Sequence, residues 1–131
     1  MPEELFWRRP KNYSVWHRPP SLPKWCYLTD GDFFEQRVIN GKLTVVAYFE
    51  TYETTDIDLA TNYGTRHGIW PSKRALIREI GEKMGIPTYI VVHNPQCTNF
   101  LVWKGLEDPS PKRMDEFQYK EFIENIGGDY R

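Results

Sequence analysis

The sequence has few cysteines and no long apolar run. Its two cysteines, Cys26 and Cys97, stand far apart, without the CxxC spacing or the neighbouring histidine cluster of a structural zinc site. No apolar stretch approaches the roughly 18 residues that a membrane helix requires, and the N-terminus shows no basic-then-apolar leader pattern. We therefore expect a cytoplasmic protein with reduced thiols and no membrane association.

An excess of charge of either sign is also lacking. The 17 basic and 18 acidic residues leave a net charge of −1, so overall charge does not by itself indicate a nucleic-acid partner. It does not exclude one, because nucleases concentrate acidic residues at a metal site and basic residues elsewhere. The sequence also contains no phosphate-binding loop, dinucleotide-binding glycine fingerprint or nucleophile elbow.

Aromatic residues, in contrast, are abundant at 15%. At 131 residues the chain predicts a single domain, 1–131, in which residues 1–24 form an extended N-terminal arm rich in aromatic, basic and proline residues. Two interpretations of the arm stay open. Its rings cover the core, or its basic and aromatic side chains follow a phosphate backbone and stack on bases.

The order of the predicted elements is hairpin, helix, strand, strand, helix. Asn40-Gly41 is a strong hairpin signal, and the apolar run 43–49 after it is typical of a buried strand. A long polar loop, 51–71, leads to a helix with Ser72 as its N-cap and Gly85 at its end. Strands at 88–92 and 99–103 and a helix with apolar positions at Tyr119, Phe122, Ile123 and Ile126 complete the order. This order predicts an α/β fold, a mixed central sheet with flanking helices.

Acidic residues stand at the start of one hairpin strand, Asp30 and Asp32, and at the end of the other, Glu50. The hairpin register decides whether they share a face. A plain two-residue turn pairs residue numbers that sum to 81 and separates Asp32 from Glu50. A bulged turn, with sums of 80 or 82, places Asp30, Asp32 and Glu50 on one face, close to a common cation. A shared metal site therefore requires a bulged turn, and solvated carboxylates at the strand ends are the alternative.

The segments D-G-D-F-F-E (30–35) and V-V-A-Y-F-E-T-Y (45–52) resemble the core of PD-(D/E)XK nucleases. W-H-R (16–18) and I-P-T-Y-I-V-V (86–92) are similar to segments of small members of that superfamily, so the resemblance covers roughly residues 12–126. It implies a restriction-endonuclease-like core that begins with a β-hairpin. It also implies a nuclease dependent on Mg²⁺ (or Mn²⁺), with nucleic acid, DNA in particular, as its partner, and a homodimer.

Matched residue by residue, the resemblance assigns Asp32 and Glu50 as metal ligands and the backbone carbonyl of Thr51 as a further one. The metal set also includes Asp30. Tyr52 occupies the position of the motif lysine, and its phenol, with a pKa of about 10, is neutral at pH 7 and cannot replace that charge.

Some superfamily members place the basic residue on the following helix, where Lys73, Arg74 and Arg78 are candidates; the alternative is that these side chains are only solvated. Tyr52 would then position water. The function is therefore either a metal-dependent nuclease or an inactive nuclease-like module that binds nucleic acid or a protein. His93 is expected to make a hydrogen bond at the end of a strand.

Overall fold

The computed structural model describes Pro20, residues 31–58, Ile69 and residues 71–127. The arm 1–24 (Pro20 apart), Cys26, Asp30 and residues 59–68 and 70 of the predicted loop 51–71 lie outside the described residues. The loop prediction is wrong at its start, because residues 51–53 belong to a strand. All the elements below belong to the compact unit that begins at Gly31.

In the described part of the chain, five strands form one mixed sheet in the order β1-β2-β3-β4-β5. They are β1 (Phe33–Ile39), β2 (Lys42–Glu53), β3 (Thr88–His93), β4 (Asn99–Trp103) and β5 (Lys112–Asp115). Only β2 and β3 run parallel, and helix α1 (Pro71–Met84) lies between them in sequence. The other neighbours are antiparallel. Helix α2 (Glu116–Asn125) follows β5. The predicted α/β fold with a mixed sheet and flanking helices is confirmed.

The hairpin of β1 and β2 has a plain two-residue turn, with Asn40 and Gly41 both at positive φ. Pairing beside the turn sums to 81, as in Ile39↔Lys42. The register then shifts between Glu35 and Gln36, and from there the paired numbers sum to 82, as in Phe33↔Phe49. The turn itself is therefore not bulged, contrary to the requirement stated above, although the paired numbers near Asp32 and Glu50 do sum to 82. The irregularity lies inside the strands and leaves Val46 as the extra residue on β2.

Helix α1 begins at Pro71, so Ser72 lies in its first turn and is not its N-cap. Proline is favoured at that first position because its missing N–H is not needed there. Gly85, at φ +65°, ends the helix as expected, and its N–H donates to the carbonyl of Gly81. Among the described residues, no helix is long and apolar enough to cross a bilayer.

Strand β5 was not predicted from the sequence; it has four residues and only one buried side chain, Met114. The last residue of β5, Asp115, is also the N-cap of α2. Its carboxylate accepts from the N–H of Gln118, and the Gln118 side chain accepts from the N–H of Asp115. This reciprocal capping box turns the chain directly from the edge strand into the helix.

The sheet has an apolar cluster on each face. On the α2 face the cluster includes Phe49, Phe100 and Val102, with Tyr119 and Phe122 of α2 packed against it. On the α1 face it includes Ile90, Leu101 and Trp103, with Tyr52 packed against it. Because strand residues alternate between faces, Tyr48 and Glu50 share the α1 face with Tyr52. Glu50, the buried charged residue of the described part of the chain, therefore lies on the α1 face.

Candidate metal-binding site

Asp32 lies immediately before β1, at the end of the hairpin opposite the turn. If the shifted register is extended by one residue beyond β1, Asp32 falls opposite Glu50. The N–H of Thr51 donates to Asp32 Oδ2 at 2.9 Å, and the Thr51 hydroxyl lies 3.4 Å from the same oxygen. The Asp32 carboxylate is therefore fixed against the backbone that follows Glu50.

Glu50 is the buried acidic residue of β2, with 2% of its surface exposed. The Tyr48 hydroxyl donates to its Oε1 at 2.5 Å, and the Tyr52 hydroxyl donates to its Oε2 at 3.2 Å. Both tyrosines lie two residues from Glu50, so the strand geometry alone places all three side chains on one face. The hydrogen bonds compensate part of the cost of removing the carboxylate from water.

Lys73 of α1 supplies a positive charge to this buried acid. Its Nζ lies 3.2 Å from Glu50 Oε2, and its side chain is 17% exposed. Of the three basic residues that the sequence analysis proposed on α1, Lys73 is the one that contacts Glu50. Helix α1 therefore contributes a positive charge directly beside the buried carboxylate of β2.

The other two proposed basic residues are placed differently. Arg74 follows Lys73 and points about 100° further around the helix axis, where it is half-buried. Arg78 forms an exposed ion pair with Glu107 at 3.3 Å. It borders a separate cleft of about 450 Å³ between the second half of α1 and the start of β3. The structure therefore does not bring Arg78 to the acidic pair.

Both tyrosines beside Glu50 are held in the neutral form. Burial raises the pKa of the Tyr48 hydroxyl, and its hydrogen bond to Glu50 raises it further. Burial also raises the pKa of Tyr52, as does the negative charge of Glu50. A neutral phenol donates its proton to a hydrogen bond but provides no positive charge. Lys73, not Tyr52, therefore supplies the positive charge of the site.

The donors present fit a magnesium-type site. Asp32 and Glu50 offer carboxylate oxygens, and Thr51, whose N–H contacts Asp32, could offer its carbonyl. Mg²⁺ is usually held by one or two carboxylates, with water and substrate phosphate as its other ligands. Within residues 31–58 and 71–127, no group of three or more His, Cys, Asp or Glu residues could hold a metal ion. Asp32 and Glu50 are the two acids that the structure brings together here, and Asp30 lies outside the described residues.

Tyr48 is the functional candidate that the sequence analysis missed. Its spacing of two residues from Glu50 on a strand was the available signal. His93 contacts the Asn94 carbonyl through Nδ1 at 2.7 Å, and its own carbonyl accepts from the N–H of Thr54. It acts as a strand-end residue, as expected. His17 and His67 lie outside the described residues.

Comparisons with known proteins identify no relative. No family model matches the chain, and neither a curated protein nor a solved structure matches it.

Proposed function

We propose that this protein is a metal-dependent nuclease that hydrolyses nucleic-acid phosphodiester bonds, with its site at Asp32, Glu50 and Lys73. The observation that supports this most strongly is the contact of Lys73 Nζ with Glu50 Oε2 at 3.2 Å, beside an aspartate bonded to the next backbone N–H. Two carboxylates that hold a divalent cation, with an ammonium group beside them, are one arrangement that can stabilise the charge that develops during phosphodiester hydrolysis.

Each residue has a distinct role in this proposal. Asp32 and Glu50 would hold a divalent cation, Mg²⁺ or Mn²⁺, with the carbonyl of Thr51. When bound, the cation polarises the phosphoryl oxygen and lowers the pKa of the attacking water. Lys73 would supply an ammonium group that stabilises the negative charge that develops on the phosphate oxygens. Tyr52 keeps Glu50 Oε2 oriented by its hydrogen bond.

The proposal includes a restriction-endonuclease-like core, in which the hairpin strands β1 and β2 present the acids and α1 presents the cation. The parallel β2–α1–β3 unit supports this arrangement because it places the first turn of α1 over the end of β2. DNA as the substrate, a homodimer and a cytoplasmic location stay predictions.

A second candidate function is an inactive nuclease-like module that binds nucleic acid or a protein partner. The observation in its favour is that both oxygens of Glu50 already accept hydrogen bonds, one from Tyr48 and one from Tyr52. A cation that binds Glu50 must displace or share these contacts. In an inactive module the same contacts would serve only to stabilise a buried carboxylate.

Cleavage assays separate the two functions. Plasmid and single-stranded DNA are incubated with Mg²⁺ or Mn²⁺ and with wild type, Lys73→Met or Lys83→Met. Lys83 is the matched control, because it is an exposed lysine of the same helix, paired with Glu79. We expect cleavage by wild type and Lys83→Met and a loss of at least about 100-fold in Lys73→Met. Cleavage by none of the proteins, or equal cleavage by all three, contradicts the nuclease proposal.

A further inference from the structure

Tyr48 connects the two acids of the site through one hydroxyl group. Its oxygen accepts from the N–H of Asp32 at 2.9 Å, and its proton is donated to Glu50 Oε1 at 2.5 Å. Asp32 precedes β1, whereas Tyr48 and Glu50 both lie in β2, so the bond from the Asp32 N–H joins the segment before β1 to β2. Within the described part of the chain, no other side chain is hydrogen-bonded to both residues.

The position of Tyr48 is itself fixed. Its side chain is fully buried, and the ring packs at 4.9 Å from that of Phe34, its partner across the hairpin. Gly31 lies against the other end of the ring, where an added Cβ would stand 3.6 Å from the hydroxyl oxygen. A buried ring has few alternative rotamers, so the hydroxyl is presented at a constant point.

We propose that Tyr48 is a positioning residue whose hydroxyl fixes the separation and orientation of Asp32 and Glu50. Its contribution to metal affinity rests on the proposed function, whereas the positioning itself does not. The bond to Oε1 orients the carboxylate so that Oε2 faces Lys73, and the bond from Asp32 holds the segment before β1 against β2. The Asp32 carboxylate is then in place to accept from Thr51.

Tyr52 provides a matched control within the same strand. It is also two residues from Glu50, and its hydroxyl donates to the same carboxylate. It makes no hydrogen bond to Asp32. Tyr48→Phe and Tyr52→Phe therefore remove equivalent groups from Glu50, but only Tyr48→Phe removes the connection between the two acids.

The first readout is amide hydrogen exchange in metal-free protein, measured by NMR for the wild type and both variants. In Tyr48→Phe we expect exchange of the Asp32 and Thr51 amides to be about tenfold faster than in wild type. The Asp32 N–H loses its acceptor directly, and the Thr51 N–H donates to an Asp32 carboxylate whose position Tyr48 no longer fixes. The amide of Val91, in the centre of the sheet, reports any global loss of stability. Tyr52→Phe should leave the Asp32 amide unchanged.

The second readout is the Mn²⁺ dissociation constant by calorimetry. Removing a group that orients a metal ligand typically weakens metal binding 10–100-fold, so we expect that loss in Tyr48→Phe and a smaller one in Tyr52→Phe. Unchanged Asp32 exchange in Tyr48→Phe, or a change matched by Val91, overturns the positioning role. Local exchange changes without Mn²⁺ binding by the wild type support the positioning role and contradict the proposed function instead.

Discussion

The two faces of the sheet differ in what they bury: aromatic rings on the α2 face and a charged carboxylate on the α1 face. On the α2 face, rings pack against rings: Phe100 stacks on Tyr119 at 3.9 Å, and Phe122 meets Tyr89 edge-on at 5.0 Å. On the α1 face, the buried Glu50 is surrounded by two hydroxyls and an ammonium group. Apolar burial stabilises a fold without regard to charge, whereas a buried ion pair barely compensates its own desolvation.

The α1 face also holds a polar atom that nothing satisfies within the described residues. The indole Nε1 of Trp103 is buried with no hydrogen-bond partner there. Trp103 pairs with Ile90, and Ile90 pairs with Glu50, so the three side chains form one row across the sheet. An unpartnered buried donor costs stability. The α2 face therefore contributes apolar packing, whereas the α1 face combines its own apolar cluster with a buried charge and an unpartnered donor, both of which cost stability.

The largest change in stability is expected from a substitution in the apolar cluster of the α2 face. Phe100→Ala removes a buried ring from the stack with Tyr119 and should lower the free energy of unfolding by about 3–5 kcal/mol. Phe117→Ala is the control, since Phe117 of α2 is 70% exposed, and it should change stability little. Urea unfolding measures both. A similar cost for the two variants would contradict the assignment of Phe100 to the apolar core of this face.

The second largest change in stability is expected from removing the cation beside Glu50 on the α1 face. Lys73→Met leaves Glu50 buried without its cation and should lower the free energy of unfolding by about 2–3 kcal/mol; this lies below the range for fully buried pairs because Lys73 keeps some exposure. Adding Glu50→Gln should recover part of the loss, because no charge then stays unpaired. Denaturant unfolding of the two single variants and the double variant gives the coupling. Strict additivity would show that the pair does not interact.

The smallest expected change is in the pH dependence of the unfolding free energy, and it appears only at high pH. Burial raises the pKa of Tyr119 to about 12, with a further increase from the charge of Glu35. Because the folded value exceeds the unfolded value of about 10, the stabilisation is complete below pH 10 and is lost as the pH rises towards 12. Tyr119→Phe should therefore flatten the decline in unfolding free energy between those pH values. A decline of unchanged steepness in the variant would contradict this.

Much of the fold follows from local sequence patterns. The Asn40-Gly41 turn, the end of α1 at Gly85, and strands β3 and β4 were all predictable, since each depends on a turn residue or an apolar run. Strand β5 was not, because its single buried residue, Met114, provides no periodicity. The register shift was also unpredictable. It falls within the apolar run 45–47, where no glycine marks a bulge.

For the candidate site, the sequence indicated the two acids but not the residues that contact them. Asp32 and Glu50 were recognised because carboxylates at the ends of apolar strands are unusual. Choosing Lys73 among three basic residues of α1 required the position of the helix over β2, which sequence spacing does not fix. Tyr48 was overlooked because an aromatic residue in a buried strand is expected to be part of the core.

The central claim, that Asp32 and Glu50 hold one divalent cation between them, is tested most directly by calorimetric titration of Mn²⁺ into wild type and Asp32→Asn. The asparagine keeps an oxygen that can accept from Thr51 but removes the negative charge. We predict saturable binding to a single site in wild type and a dissociation constant at least about tenfold weaker in Asp32→Asn. No saturable binding by wild type, or equal binding by both proteins, would contradict the account.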